Sequence, residues 1–202
     1  MYLKREKEFQ YHPGIEKIIE DVIGGGTIDR SDFKGVLFDG ASLPELPPLV
    51  IVVQDPDTRI YKTIKTAQVS AVATATATVY QVKKNHLFAV GDAVTNGGDF
   101  AKAADIITAI DKSDKAFDLI TLDGTIGAAA VGDILVLAKE AAEAGDATMK
   151  YDGELVVTMN KVDLTVANQR SGLLVRGTIN KSVLPFPIDN GLKAMLPFIR
   201  FV

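Results

Sequence analysis

Cysteine and tryptophan are absent from the 202 residues, and histidine occurs only twice. Without cysteine there is no disulfide staple and no thiolate nucleophile or metal ligand. That absence fits assembly in a reducing cytoplasm. His12 and His86 lie in separate segments, without the H-x-x-x-H spacing or the third protein ligand that a zinc site requires. No run of about 18 apolar residues occurs, so no transmembrane helix is expected. The opening MYLKREKEFQ is charged and lacks an apolar core, so no secretory signal is expected either. A Lys/Arg stripe is also missing. The formal charge is −4, and acids and bases are interspersed, which disfavours nucleic acid as the main partner.

Signatures of catalysis are equally scarce. None of the serines sits in G-x-S-x-G, and no dinucleotide fingerprint is present. Gly24-Gly25-Gly26 follows an apolar segment and lacks the Gly-Lys-Ser/Thr ending of a phosphate loop, so it reads as a flexible break. Asp55 and Asp57 flank Pro56 without the further oxygen ligands of a calcium loop, and a turn explains them. No catalytic, cofactor-binding or metal-binding residue is therefore expected. A hydrolase built on two carboxylates brought together in space stays as an alternative, because it needs no local motif.

What is present is a punctuated β pattern. Leu49–Val53 and Ile134–Leu137 are short apolar runs of the kind that form buried strands. Asp55-Pro56-Asp57 turns the chain toward Ile60–Lys65, predicting a hairpin. Ala73-Thr74-Ala75-Thr76-Ala77-Thr78 alternates strictly, predicting a strand with alanines on one face and threonines on the other. Two phrases repeat, Val90-Gly91-Asp92-Ala93-Val94 and Val131-Gly132-Asp133-Ile134-Leu135. In each, the glycine can take the positive φ of a sharp corner, and the aspartate can accept from backbone N–H groups left over by the turn. Gly91, Asp92, Gly132 and Asp133 are thus expected to be structural corners. The match is too short to establish a duplication.

The fold expected is mostly β. A small barrel or sandwich spans 69–139, preceded by a connecting hairpin at 51–68. An N-terminal arm covers 1–50, and a β/extended segment covers 140–202. Ile15, Ile18, Ile19, Val22 and Ile23 fall at helical spacing after Pro13, predicting a short amphipathic helix in the arm. Its removal is expected to leave the barrel folded. Leu192, Met195 and Leu196 predict one helical turn ended by Pro197. The chain finishes on Phe198, Ile199, Phe201 and Val202, too apolar for a frayed end. Ile15, Ile18, Ile19, Val22, Phe198, Ile199 and Phe201 are the candidate interaction residues, packing on the protein's own body or on a neighbouring subunit.

Two stretches carry a family resemblance. HLFAVGDAVTNGG with IITAIDKSDKAFDLITLDGTIGAAAVGDILVLA resembles the small β-barrel module of tailed-phage capsid-decoration and head-fibre proteins. LLVRGTINKSVLPFPIDNGLKAMLPFIRFV is similar to the end of such proteins from phages and prophages of gut bacteria. The resemblance covers roughly half the chain. It implies a non-enzymatic virion protein on the outer capsid surface, assembled in the bacterial cytoplasm. It also implies a homo-oligomer, with a trimer favoured, and the major capsid protein as partner. A receptor- or glycan-binding β-module is the alternative.

Overall fold

The computed structural model describes residues 14–38 and 40–202; His12 and Pro13 lie outside them. In chain order, the first six strands of the two main sheets are β1 (Ile15–Asp21), β2 (Ile51–Gln54), β3 (Tyr61–Thr63), β4 (Thr66–Gln68), β5 (Val79–Lys83) and β6 (Ala93–Asn96). The other six are β7 (Ala104–Asp111), β8 (Phe117–Leu122), β9 (Ile134–Ala138), β10 (Leu155–Thr158), β11 (Leu173–Ile179) and β12 (Ile199–Phe201). The single α-helix among the described residues, α1 (Asn190–Ala194), ends before Pro197. Its N-cap is Asp189, whose side chain accepts from Leu192 N.

One sheet runs β1-β11-β10-β2-β3, with β12 parallel alongside β11. The other runs β4-β9-β6-β7-β8-β5 and is rolled until its two edge strands meet. They touch only at the bridge Val69↔Val82, supported by Ser70 N donating to Gln81 O at 2.8 Å. A single bridge is not a ladder, so the architecture is sandwich-like and not a closed barrel.

The apolar runs have a structural cause: several strands are buried on both faces. Along β9, Leu135 and Leu137 point into the rolled sheet with Tyr80, Phe88, Ile107 and Ile120. Ile134, Val136 and Ala138 point the other way, into a layer shared with Ile51, Val53, Leu155 and Val157 of the first sheet. On β2, Val52 faces a third layer with Ile28, Phe33, Val36, Leu46 and Leu173. A period of two with apolar side chains on both phases makes an unbroken apolar word such as ILVLA. The middle layer joins the two sheets through one continuous core.

Three expectations are corrected. The segment expected as a helix is β1, antiparallel to β11. Its register slips between Ile15 and Lys17 and again between Ile18 and Glu20. Each slip inserts an extra residue, so Ile15 and Ile18 share a face although three apart, which imitates helical spacing. β-Branched residues and the open edge of β11 favour the strand over a nine-residue helix, which is marginal in water. Second, the Ala/Thr stretch is a loop with a turn (Ala77 N to Thr74 O, 3.1 Å) and one bridge, Ala73↔Ala129. Its side chains offer little apolar area to bury, so alternation alone does not hold it in a sheet. Third, the stretch expected as an arm supplies core: Ile28, Phe33, Val36 and Leu46 are buried under the first sheet. Asp55 does turn the hairpin between β2 and β3, accepting from Asp57 N and Thr58 N.

Candidate functional site

The two Gly-Asp corners share one bonding plan. In the first, Asp92 Oδ2 accepts from Ala89 N at 2.9 Å while Asp92 N donates to Ala89 O. In the second, Asp133 Oδ2 accepts from Ala130 N at 2.9 Å while Asp133 N donates to Ala130 O. Gly91 and Gly132 sit at φ +93° and +97°, where a side chain is disfavoured. Each corner also grips one residue of a neighbouring segment from both sides. Gly91 N donates to Ile107 O, and Ile107 N donates to Asp92 O. Gly132 N donates to Val69 O, and Val69 N donates to Asp133 O.

This equivalence extends to the whole rolled sheet. Exchanging β4 with β7, β5 with β8 and β6 with β9 maps every strand contact onto another. β6 and β9 pair antiparallel at the centre, Ala93 opposite Ala138 and Asn96 opposite Leu135. The rolled sheet is a pair of three-strand units about a pseudo-twofold axis, a relation that a five-letter match could not establish.

The corners differ in what they face. Asp92 turns toward the boundary between the sheets. Lys65, in the crossover from β3 to β4, donates to Asp92 Oδ2 at 2.7 Å, and Lys150 approaches Asp92 Oδ1 at 3.5 Å. Lys150 and Lys62 lie 5.7 and 6.0 Å from the Tyr151 ring centre. Tyr151 OH donates to Asp32 Oδ1, Thr63 N donates to Asp32 Oδ2, and Lys62 pairs with Asp29. A chain of charges thus runs along β3 and over the crossover to the first corner. Burial pushes the Asp32 carboxyl above its usual range, offset in part by the Thr63 N–H and Lys62. Burial pushes Asp29 up too, but Lys62 and the Ser31 N–H outweigh it, and the net shift is downward.

Asp99, Asp133 and Asp189 are carboxylates that share one cleft, the second described below, while Asp29 and Asp32 neighbour each other elsewhere. Asp29 Oδ1 accepts from Ser31 N, capping a 3-10 turn, and both oxygens of Asp32 are engaged. Neither lines the clefts described below. Their geometry is that of a strut between elements.

A second buried cluster centres on Asp118, on the apolar phase of β8 with Ile120 and Leu122. Lys84 Nζ reaches Asp118 Oδ1 at 2.9 Å and Lys112 Nζ reaches Oδ2 at 3.4 Å. His86 is 2% exposed. Its Nδ1 accepts from Phe88 N at 3.2 Å, which leaves the ring proton on Nε2, 3.4 Å from Asp118 Oδ2. Burial, then the Lys112 charge, lowers the His86 pKa to about 4 despite Asp118, so the ring is neutral at pH 7. From sequence alone, His86 before Leu87-Phe88 reads as a turn residue at a strand's edge, whereas the structure buries it. An acid in phase with Ile120 and Leu122 was the signal that could have revealed this cluster.

Of the candidate interaction residues, Ile15, Ile18 and Phe201 are partly buried against the middle core layer, Ile199 is buried in it, and Val22 packs on the lower layer. Ile19 and Phe198 stay exposed, the latter at 56%. Ile23 is 98% exposed at the tip of a turn closed by Gly25 N to Val22 O.

The surface clefts among the described residues include three. The first, about 360 Å³, opens between the end of β4, the Lys83–His86 segment and the proline-rich stretch Leu184–Pro187. The second, about 490 Å³, lies at the second corner and is lined by Asn96, Asp99, Lys102, Asp133, Asp189 and Lys193, among others. The third, about 170 Å³, lies beside Phe198 among Glu154, Val175, Met195 and Pro197. No group of three or more His, Cys, Asp or Glu side chains placed to hold a metal ion occurs among the described residues. No described helix is long and apolar enough to cross a membrane. In comparisons with known proteins, no family model, no curated sequence and no solved structure matches the chain.

Proposed function

We propose that this chain is a structural protein of a tailed-phage head, a decoration or head-fibre subunit on the outer capsid surface. It acts by assembly and not by catalysis. The observation that carries the reading is the use of the buried charges: Lys65, Asp92, Asp29, Asp32 and Asp118 are each tied to structural partners. Lys65–Asp92 ties the two sheets together, and the other pairs fix elements against their own sheet, as a shell component needs. The resemblance of the corner-bearing stretch and of the C-terminal stretch supplies the setting. Ile19, Ile23 and Phe198 are among the exposed apolar groups and are offered for subunit or capsid contact. The subunits associate as a homotrimer, and repeated sites on the major capsid protein compensate weak single contacts by avidity. Assembly takes place in the bacterial cytoplasm. Peptide mass spectrometry of purified particles from the phage or prophage that encodes the chain tests this reading. Stoichiometric recovery in heads is expected; recovery only in the soluble fraction overturns it.

The second cleft favours one other reading, a glycan-binding module. Its carboxylates and amides suit sugar hydroxyls, although no aromatic ring lines it. A glycan array with the Asp99→Ala variant as control separates the two readings.

A further inference from the structure

The first cleft is built differently from the rest of this acidic surface. No carboxylate lines it, although the chain is net acidic. One wall carries Lys83 and Asn85, the floor carries Gln68, and none of these three side chains has a protein partner among the described residues. The opposite wall is apolar, formed by Leu184, Pro185 and Phe186.

The walls are fixed before anything binds. Thr66 Oγ1 donates to Pro187 O at 2.8 Å, joining the proline-rich stretch to the rolled sheet. Phe186 stands edge-on to Phe38, with ring centres 6.4 Å apart. Asn85 is held at φ +63°, a conformation uncommon for a residue with a side chain. Behind the Lys83 wall, Lys84 and Lys112 are both tied to Asp118, which leaves Lys83 as the cation free to meet a ligand in the cleft. Burial, then the Lys112 charge, lowers the pKa of the neighbouring His86 ring, with Asp118 opposing the shift and Lys65 and Lys84 adding to it. A volume of about 360 Å³ is at the small end of the range for small-molecule sites.

We propose that this cleft binds a carboxylate carried on an apolar body, with Lys83 and the Gln68 and Asn85 amides taking the carboxylate and Phe186 with its flanking prolines taking the body. One lysine and two neutral amides supply about one unit of positive charge, which balances a singly charged carboxylate better than a doubly charged phosphate. Preformed walls keep the ordering cost of binding low. The carboxylate comes either from a free organic acid or from an acidic group on a peptide. The proposal is independent of the capsid reading, because it concerns a concave site that neither Ile23 nor Phe198 lines.

The test is an NMR titration of the full chain with three probes: 3-phenylpropionate, its neutral amide, and a terminally blocked tetrapeptide with one glutamate. Saturable shifts at Gln68, Lys83, Asn85 and Phe186 with 3-phenylpropionate, at a Kd of about 1 mM or below, are expected. The amide should leave these signals unmoved. An anion in the cleft should also raise the depressed pKa of the His86 ring, since a nearby negative charge favours the protonated form. Binding of the blocked peptide as well assigns the site to peptide acids; its failure assigns it to free acids. Lys83→Glu, at an exposed position, should keep the spectrum of the folded chain and weaken 3-phenylpropionate by tenfold or more, with Lys83→Gln intermediate. Equal shifts from acid and amide, unchanged affinity in Lys83→Glu, or no saturable shift with either carboxylate probe overturns the proposal.

Discussion

Lys65 donates to Asp92 at 2.7 Å across the boundary between the two sheets, with the side chains only 5% and 9% exposed. A buried pair of this kind adds little net stability over an apolar replacement, but breaking it leaves a charge stranded out of water. Asp92→Ala also removes the acceptor for Ala89 N. It should cost about 3–5 kcal/mol in urea denaturation. Lys65→Met should cost less, because Asp92 keeps Lys150 and the Ala89 N–H. A cost under about 1 kcal/mol for Asp92→Ala contradicts the strut role.

The corners give a paired prediction. A Cβ at Gly91 or at Gly132 meets no heavy atom within 4 Å, so any cost there is conformational and not steric. Alanine at either position should cost about 1–2 kcal/mol. Valine should cost more, and the two sites should respond alike. Equilibrium unfolding of four single variants reads this out. Strongly unequal losses at the two corners contradict the pseudo-twofold equivalence.

His86 makes stability depend on pH. Its folded pKa, about 4, lies below the unfolded value of 6.5, so the unfolded chain binds the proton more readily. Its contribution is therefore fully present above pH 6.5 and is lost as pH falls through 4. The loss is on the order of 3 kcal/mol. His86→Gln should flatten the stability profile between pH 4 and 6.5 relative to the parent chain. An unchanged slope contradicts a buried neutral ring.

Deleting residues 1–50 removes β1 together with Ile28, Phe33, Val36 and Leu46. Each fully buried side chain of this size is worth about 1.5–3 kcal/mol, and the total approaches the 5–15 kcal/mol of a whole domain. The shortened chain should lose native chemical-shift dispersion. Retained dispersion would show that these residues are an arm after all.

The sequence made the corners and the double-sided strands legible because both are local. A glycine at positive φ and an aspartate capping its own turn need only neighbouring residues. ILVLA declares burial on both faces by lacking any polar phase. The strand β1 was hidden because its bulges turn a two-residue period into one resembling a helix. The Ala/Thr loop imitates a strand because its residues alternate, yet alanine buries too little area to hold it in a sheet. Lys65–Asp92 and Asp118–Lys84 join residues 27 and 34 apart, pairs that no spacing rule connects.

The role proposed for the chain is binding to a phage head as a structural subunit. The most direct measurement mixes purified protein with shells of its encoding phage that lack it, followed by sedimentation and quantitation of the bound fraction. Saturable co-sedimentation is expected at a ratio set by the shell's symmetric sites, weakened by Ile23→Asp or Phe198→Asp. Protein that stays wholly in the supernatant at every shell concentration contradicts it.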